Sequence, residues 1–553
     1  MQSRSRFILF SILVIAIGAF AGGWANRYRT ALANTPSDEM KNNELVKAFT
    51  EGTRIIEENY ATDRDEETLT KASVLGMLHE LDPHSSFFDR RQYQEMQEEQ
   101  SSRFYGIGVS INQRNNKTCV LGVVKGMPAE RAGLKYGDII VAVDGKSAEG
   151  WSQQEILNHV RGERGSEVEI AVDRVGEAVP LKIRIVRDEV PYPSVRNHFM
   201  MRQGIGYAAL TNGFNQKTSE ELQDAIADLK RQGMTAMILD LRRNPGGLLK
   251  QAIEVSELFL PAKEEVVSVR GREGRMRNQS YKSANKEPET MPLVVIINGS
   301  TASASEIVAG AIQDKDRGLI VGEDSFGKGL VQTVFRLPGG TGLTLTTAKY
   351  YTPSGRSIQR DYSGLSIYEY YTAHRNNNEP AATPTPQLNA PVFTTSTGRK
   401  MLSGGGITPD IVVKNAEENF AIRDACFEFA RLLAGGAVPG LQEYKVIKNE
   451  FGYRLNGTEF QFNNNGETVI SSFRNYLREH SDLGVNEAML NNHLEYARRR
   501  IRAELITAAY GIEAEDQFLL ESDLQAIQAL EAIPKAKQLT ATARLFDFPP
   551  ERN

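Results

Sequence analysis

The chain has 553 residues, 40% of them hydrophobic and 24% charged, with a net charge of −5. That is ordinary globular composition at a length calling for roughly three or four domains. It excludes the basic face that nucleic-acid binding needs. Two widely separated cysteines, Cys119 and Cys426, read as buried thiols and leave no Cys/His zinc site; no metal and no cofactor are expected.

At the N-terminus, Arg4 and Arg6 precede an apolar run over residues 7–24, and Arg27 and Arg29 follow it. The run is at the short end of a membrane span; read as a signal segment it would have Ala31-Leu32-Ala33 as its small-residue cleavage site, at a distance that is long for cleavage and favours an anchor. Residues 1–34 therefore read as a membrane anchor or a signal segment, and the bulk of the chain as exported. Residues 38–100 are polar and helical in pattern, with Leu45, Phe49, Ile55 and Ile56 as core contacts. Leu81-Asp82-Pro83-His84-Ser85 breaks that pattern with a turn.

Residues 101–188 change to alternating apolar runs, at 108–111, 119–124, 139–143, 168–172 and 181–185, that read as strands. Among them lies one amphipathic helix over 151–161, with Ile156, Leu157 and Val160 on one face. From Gly204 the pattern is β-α-β, which argues for a layered α/β core. A strand over 205–210 leads to a helix that Thr218 and Glu221 open as a capping-box pair. A buried-type strand over 234–241 then leads to the turn Asn244-Pro245-Gly246-Gly247 and a helix over 248–260.

The run Leu293-Val294-Val295-Ile296-Ile297 feeds Ser300-Thr301-Ala302-Ser303-Ala304-Ser305-Glu306, and a helix-like segment follows. A hydroxyl at a strand-to-helix turn thus precedes a lone lysine in Gly327-Lys328-Gly329. No histidine lies between His198 and His374, so a Ser-His-Asp triad within this segment is not available. A serine activated by a lysine remains, which predicts a hydrolase. The residues alone do not choose among Ser300, Ser303 and Ser305. Residues 361–403 lose all periodicity, Gly404-Gly405-Gly406-Ile407-Thr408-Pro409-Asp410 restores it, and 415–553 reads as mostly helical. Arg498-Arg499-Arg500 reads as a solvated helix face.

Phe104-Tyr105-Gly106-Ile107-Gly108, followed by Gly137-Asp138-Ile139-Ile140 and Val143-Asp144-Gly145, resembles a PDZ domain. Together with Asp240-Leu241-Arg242-Arg243-Asn244-Pro245-Gly246-Gly247, the serine turn, the Gly-Lys-Gly loop and the restart at Gly406, the set resembles the C-terminal processing peptidases, or tail-specific proteases, over roughly residues 42–413. The resemblance implies an α/β catalytic core of crotonase/ClpP-like βαβ layering over 192–414, with a loop insertion at 361–403. It implies a PDZ domain at 101–188, an N-terminal helical region at 38–100 and a helical extension at 415–553.

It also implies roles for particular residues. Ser303 would be the nucleophile, Lys328 the general base and Gln332 the group orienting that base. The oxyanion hole would combine the Ala304 N–H with one from Gly246 or Gly247. Backbone N–H groups from Tyr105, Gly106, Ile107 and Gly108 would hold the C-terminal carboxylate of a protein or peptide substrate. The N-terminal segment leads us to expect an exported chain, anchored in the inner membrane and facing the periplasm, or periplasmic if the segment is cleaved. A homo-oligomer or an adaptor protein are open partner classes for the C-terminal helices. Two other readings differ in class. A non-catalytic tail-binding adaptor would lose the Ser-Lys pair, which this sequence keeps, and a CoA-ester enzyme would need neither that pair nor a PDZ domain.

Overall fold

The runs at 236–239 and 293–297 lack polar alternation, the pattern of strands covered on both faces. In the computed structural model, which describes residues 36–63, 65–272, 278–372, 391–415, 418–447, 460 and 466–547, both are fully buried strands. They form the centre of a six-stranded sheet, ordered Val195–Arg202, Ile205–Leu210, Ala236–Asp240, Leu293–Ile297, Leu319–Gly322 and Ile411–Val412. The first pair is antiparallel and the others are parallel.

Because side chains alternate along a strand, this sheet presents two apolar faces. Leu239, Val295, Ile297 and Ile320 pack with the helices Thr218–Arg231, Leu249–Glu257 and Ala304–Asp314. Ile238, Val294, Ile296 and Val321 point the other way, onto Ala526, Ala529, Ala532 and Ala536 of the helix Leu524–Asp547. The C-terminal extension therefore supplies one whole layer of the core. Glu221 does not cap its helix as the sequence suggested. Its carboxylate instead accepts the N–H groups of Ser194 and Val195 at the start of the first strand.

A second, antiparallel sheet runs Ser86–Phe88, Gly342–Tyr351, Glu265–Gly271, Gln279–Lys282, with Leu330–Arg336 also paired to Gly342–Tyr351. The region expected to be helical over 38–100 is thus divided. Among the described residues, those up to Leu81 form one compact unit, with helices Pro36–Asn59 and Glu66–His79, and those from Asp82 form another. The reason is local: Pro83 follows the helix end, and Ser86–Phe88 joins the second sheet. Leu45, Phe49, Ile55 and Ile56 are exposed rather than core contacts, since they belong to none of the apolar clusters.

Between these elements lies a small β-domain with strands ordered Val109–Arg114, Lys117–Val123, Ile139–Val143, Glu167–Asp173 and Leu181–Val186. Its core gathers Ile111, Val120, Ile140, Val143, Ile170 and the helix residues Ile156 and Val160. Among the described residues Val109–Arg114 pairs on one side only, leaving a free edge beside the helix Gln153–Val160. The C-terminal helices brace this domain: Phe427 packs on Cys119 and Ile139, Arg114 pairs with Asp424 at 2.9 Å, and Arg431 donates to the Gly137 carbonyl.

Both cysteines are free and buried. The 498–500 arginines are not a solvated face. Arg500 is buried between Glu504 and Glu515, and Arg499 donates to the Phe518 and Leu519 carbonyls. No helix among the described residues is long and apolar enough to cross a membrane; the apolar run at 7–24 and Ala31-Leu32-Ala33 lie outside the described residues.

Candidate active site

The strand Leu293–Ile297 ends in a turn held from both sides. Thr301 Oγ1 accepts the Asn298 N–H at 3.0 Å and donates to the Leu241 carbonyl at 2.9 Å. The Ala302 N–H donates to the Asn244 carbonyl at 3.0 Å. The chain then passes through Ser303 at φ 56° and ψ −114°, and the helix Ala304–Asp314 begins. A non-glycine residue in such a conformation costs about 1–3 kcal/mol and persists only when its surroundings enforce it. Ser303 is half-buried, whereas the helix behind it is buried throughout.

Glu306, one turn into that helix, is fully buried and ties the site together. Its Oε2 accepts the N–H of Ser303 at 2.7 Å and the N–H of Lys328 at 2.8 Å. Its Oε1 accepts the N–H of Gly327 at 2.7 Å and the Ser325 hydroxyl at 2.5 Å. Burial pushes its carboxyl upward and these four hydrogen bonds oppose that, leaving a net upward shift.

Lys328 is half-buried, and its ammonium forms no hydrogen bond or ion pair among the described residues. Desolvation pushes it below the ordinary lysine range, against the opposing pull of the Glu306 and Asp82 carboxylates. Gln332 lies on the adjoining strand, where its Nε2 donates to Thr346 Oγ1 at 3.2 Å. Its Oε1 has no partner among the described residues. Tyr350, buried on the neighbouring strand, donates to the Lys328 carbonyl. Burial keeps its phenol protonated.

Asn244 organises the glycine turn. Its Nδ2 donates to the Leu210 carbonyl at 3.0 Å, and its Oδ1 accepts the Gly246 N–H at 2.9 Å. Ser305 Oγ donates to its carbonyl at 3.2 Å. The Gly246 N–H is therefore engaged, whereas those of Gly247 and Ala304 have no partner among the described residues. Gly246 has φ +95°, and a Cβ there would lie 2.6 Å from the Ser303 Cβ, so only glycine allows the two turns to touch.

A histidine that sequence reasoning missed lies beside the lysine. His84, from the Asp82–Ser85 turn, contacts the Tyr370 hydroxyl at 2.9 Å and the Tyr371 hydroxyl at 3.1 Å, and its ring meets Phe326 edge-on. Burial, the Lys328 charge and the Arg360 charge outweigh Asp82 and hold it down at about 3, so the ring is neutral. Asp82 accepts from the His84 N–H, the Ser85 N–H and the Ser85 hydroxyl. No local signal could have found His84, because its neighbours here come from hundreds of residues downstream. Glu306 did have one: it stands three residues after Ser303, the spacing of a capping box.

In the small β-domain, the carbonyls of Tyr105, Ile107 and Gly108 accept from Gly162, Ala129 and Val124. The N–H groups of Ile107 and Gly108 have no partner among the described residues. Tyr105 and Gly106 belong to the strand Arg103–Gly106, paired with Asp188–Pro191. Gly108 has φ +75°, and a Cβ there would meet Met127 Cβ at 2.5 Å.

The profile of peptidase family S41 matches residues 204–365, and a PDZ-domain profile matches 120–174. The carboxy-terminal-processing protease of Bartonella bacilliformis is 39% identical over 329 residues, covering 59% of this chain and 75% of that one. The carboxy-terminal processing protease CtpA of Bacillus subtilis is 33% identical over 365 residues, covering 65% and 76%. Among solved structures, a photosystem II D1 C-terminal processing protease is similar at 26% identity, covering 66% of this chain and 92% of that one with a TM-score of 0.35. A serine turn, a glycine-flanked lysine and a PDZ domain, joined in one chain at this level of identity, make it a member of the carboxy-terminal processing proteases of peptidase family S41, which are serine peptidases.

Proposed function

We propose that the chain cleaves exported proteins by acyl transfer to Ser303, with Lys328 as general base, after the PDZ domain has captured their C-terminal tails. The observation that carries this reading is the shared Glu306 Oε2. It accepts the backbone N–H groups of both Ser303 and Lys328, so the two nitrogens lie no farther apart than those two hydrogen bonds span.

Neutral Lys328 takes the Ser303 proton while Oγ attacks the scissile carbonyl carbon. The tetrahedral oxyanion is held by the Ala304 N–H, at a helix start, and by the Gly247 N–H; the Gly246 N–H is engaged by Asn244. Lys328 returns its proton to the leaving amine, and an ester to Ser303 remains. Water then attacks this ester with Lys328 again accepting the proton, and Lys328 gives it to the departing Ser303 Oγ, which frees the acid and restores the serine and the neutral lysine. Gln332 Oε1, unpartnered among the described residues, is the acceptor proposed to orient the lysine.

The unpartnered N–H groups of Ile107 and Gly108, beside Tyr105 and Gly106, supply the proposed carboxylate cradle, and a tail would add along the free edge of Val109–Arg114. The proposed division is a leader segment at 1–34, helices at 38–100, PDZ at 101–188, peptidase core at 192–414 and extension at 415–553. The proposed core layering is crotonase/ClpP-like, and the proposed location is the periplasmic face of the inner membrane or the periplasm.

The test is cleavage of an unstructured reporter with an apolar C-terminal tail, beside the same reporter ending in charged residues, by the full chain and by Ser303→Ala and Lys328→Ala. Tail-dependent cleavage lost in both variants is expected. Tail binding without cleavage by the unmutated chain would instead mark a non-catalytic adaptor.

A further inference from the structure

Three separated motifs meet at one carboxylate. The serine turn reaches Glu306 through the Ser303 N–H, and the Gly-Lys-Gly loop reaches it through the Gly327 and Lys328 N–H groups. The restart segment reaches it through Ser325, whose hydroxyl donates to Glu306 and accepts the Ile407 N–H at 2.6 Å. Both oxygens are saturated with two donors each, and the side chain is sealed from solvent. A neutral amide could not accept all four, since one end would present N–H to donors.

We propose that Glu306 is a positioning residue of the peptidase site: its buried carboxylate fixes the serine turn and the lysine loop at one separation. The proposal rests on the Ser303–Lys328 reading and deepens it. Without this acceptor, the N–H groups of Ser303, Gly327 and Lys328 would be unpaired in a buried place, and the two segments would relax independently. The strained conformation of Ser303 would lose one of the bonds that enforces it.

The charge has a second consequence. Lys328 is faced by Glu306 from the serine helix, by Asp82 and the neutral His84 from the Asp82–Ser85 turn, and by the protonated Tyr350 from the second sheet. Arg360 packs against Gly327 and carries the other nearby positive charge. Of these, Glu306 and Asp82 favour the protonated lysine. Removing the Glu306 charge therefore makes Lys328 easier to deprotonate, while removing its position makes the neutral lysine less useful.

Two variants of the full chain separate these effects. Glu306→Asp keeps the charge and withdraws the carboxylate by one methylene. Its kcat should fall on the order of a hundredfold, with KM within about threefold and the acid limb of the pH profile unmoved. Glu306→Gln keeps the shape and loses the charge, so kcat should fall and the acid limb should move to lower pH. A merely structural residue would not move that limb. Wild-type kcat in either folded variant, or an unmoved limb in folded Glu306→Gln, overturns the proposal.

If neither variant folds, Ser325→Ala removes one donor and leaves the carboxylate in place. A kcat loss of about tenfold at unchanged KM is then expected, and wild-type kcat overturns the proposal. Ser303→Ala and Lys328→Ala run in parallel. Activity surviving in Lys328→Ala refutes the Ser-Lys reading itself, whereas two inactive controls beside wild-type-like Glu306 variants refute this inference alone.

Discussion

Gly246→Ala is the most direct probe of the contact between the glycine turn and the serine turn. The new Cβ would lie 2.6 Å from Ser303 Cβ, 2.7 Å from the Ala302 carbonyl oxygen and 2.9 Å from the Ala304 nitrogen, where ordinary contact begins at 3.4 Å. Two of these atoms are backbone and have no rotamer to escape into. Even the loosest contact demands a retreat of 0.5 Å (3.4 Å less 2.9 Å). A misplacement of about 1 Å at a reacting centre costs on the order of a hundredfold in rate, so half of it predicts a kcat loss of roughly tenfold or more. An L-residue at φ +95° adds about 1–2 kcal/mol of torsional cost.

Gly233→Ala is the matched control, because Gly233 has φ +93° and open space where its Cβ would go. Tailed-reporter kinetics and thermal unfolding, run on both variants, separate the two effects. Gly233→Ala should lose only the torsional part of the stability, Gly246→Ala that part and more, and only Gly246→Ala should lose kcat. Equal kcat in the two variants would refute the argument that this contact sets the position of Ser303, the proposed nucleophile.

The pH profile offers another test. Burial holds Lys328 below its ordinary 10.5, so kcat/KM should climb on an acid limb lying below that value; a pH-independent rate with the fold intact would rule out a lysine base. His84 is held at about 3 against an ordinary 6.5, so the unfolded chain binds more protons between those values. Its contribution to stability is complete above 6.5 and is lost as pH falls toward 3. In histidine-labelled protein the His84 ring signal should stay flat from roughly pH 5 to 8, and a midpoint near the ordinary value would contradict the burial argument. Tyr350→Phe leaves the Lys328 carbonyl without its partner. It should cost about 1–3 kcal/mol in unfolding free energy and slow phosphonate labelling of Ser303. Unchanged stability and labelling would argue against that role.

Much of the site was legible because its chemistry is local. A five-residue apolar strand, a serine turn and a helix lie within one stretch of chain, and Gly-Lys-Gly marks its own loop. The small β-domain was equally readable from its strand alternation, since each strand buries one face in its own core. Glu221 went the other way: its capping-box spacing was a true local signal, yet tertiary contact with Ser194 and Val195 outcompeted it. The Arg498–Arg500 cluster read as solvated because Glu515, a buried partner of Arg500, lies on the next helix.

Sequence alone pointed to candidate residue types for the chemistry and to the strands and helices with a strong local pattern, because those depend on side-chain character and a short period; the strands of the second sheet, Ser86–Phe88 among them, were not legible that way. It did not determine what those segments touch. His84 stands beside Lys328, and Glu306 joins the serine turn to the lysine loop, through contacts between segments that no local periodicity connects. The helix Leu524–Asp547 covers the second face of the central sheet with alanines. Alanine barely registers as a hydrophobic pattern, yet its small side chain lets a helix backbone lie close on a sheet, and only the folded chain reveals that the stripe faces Ile238, Val294 and Ile296.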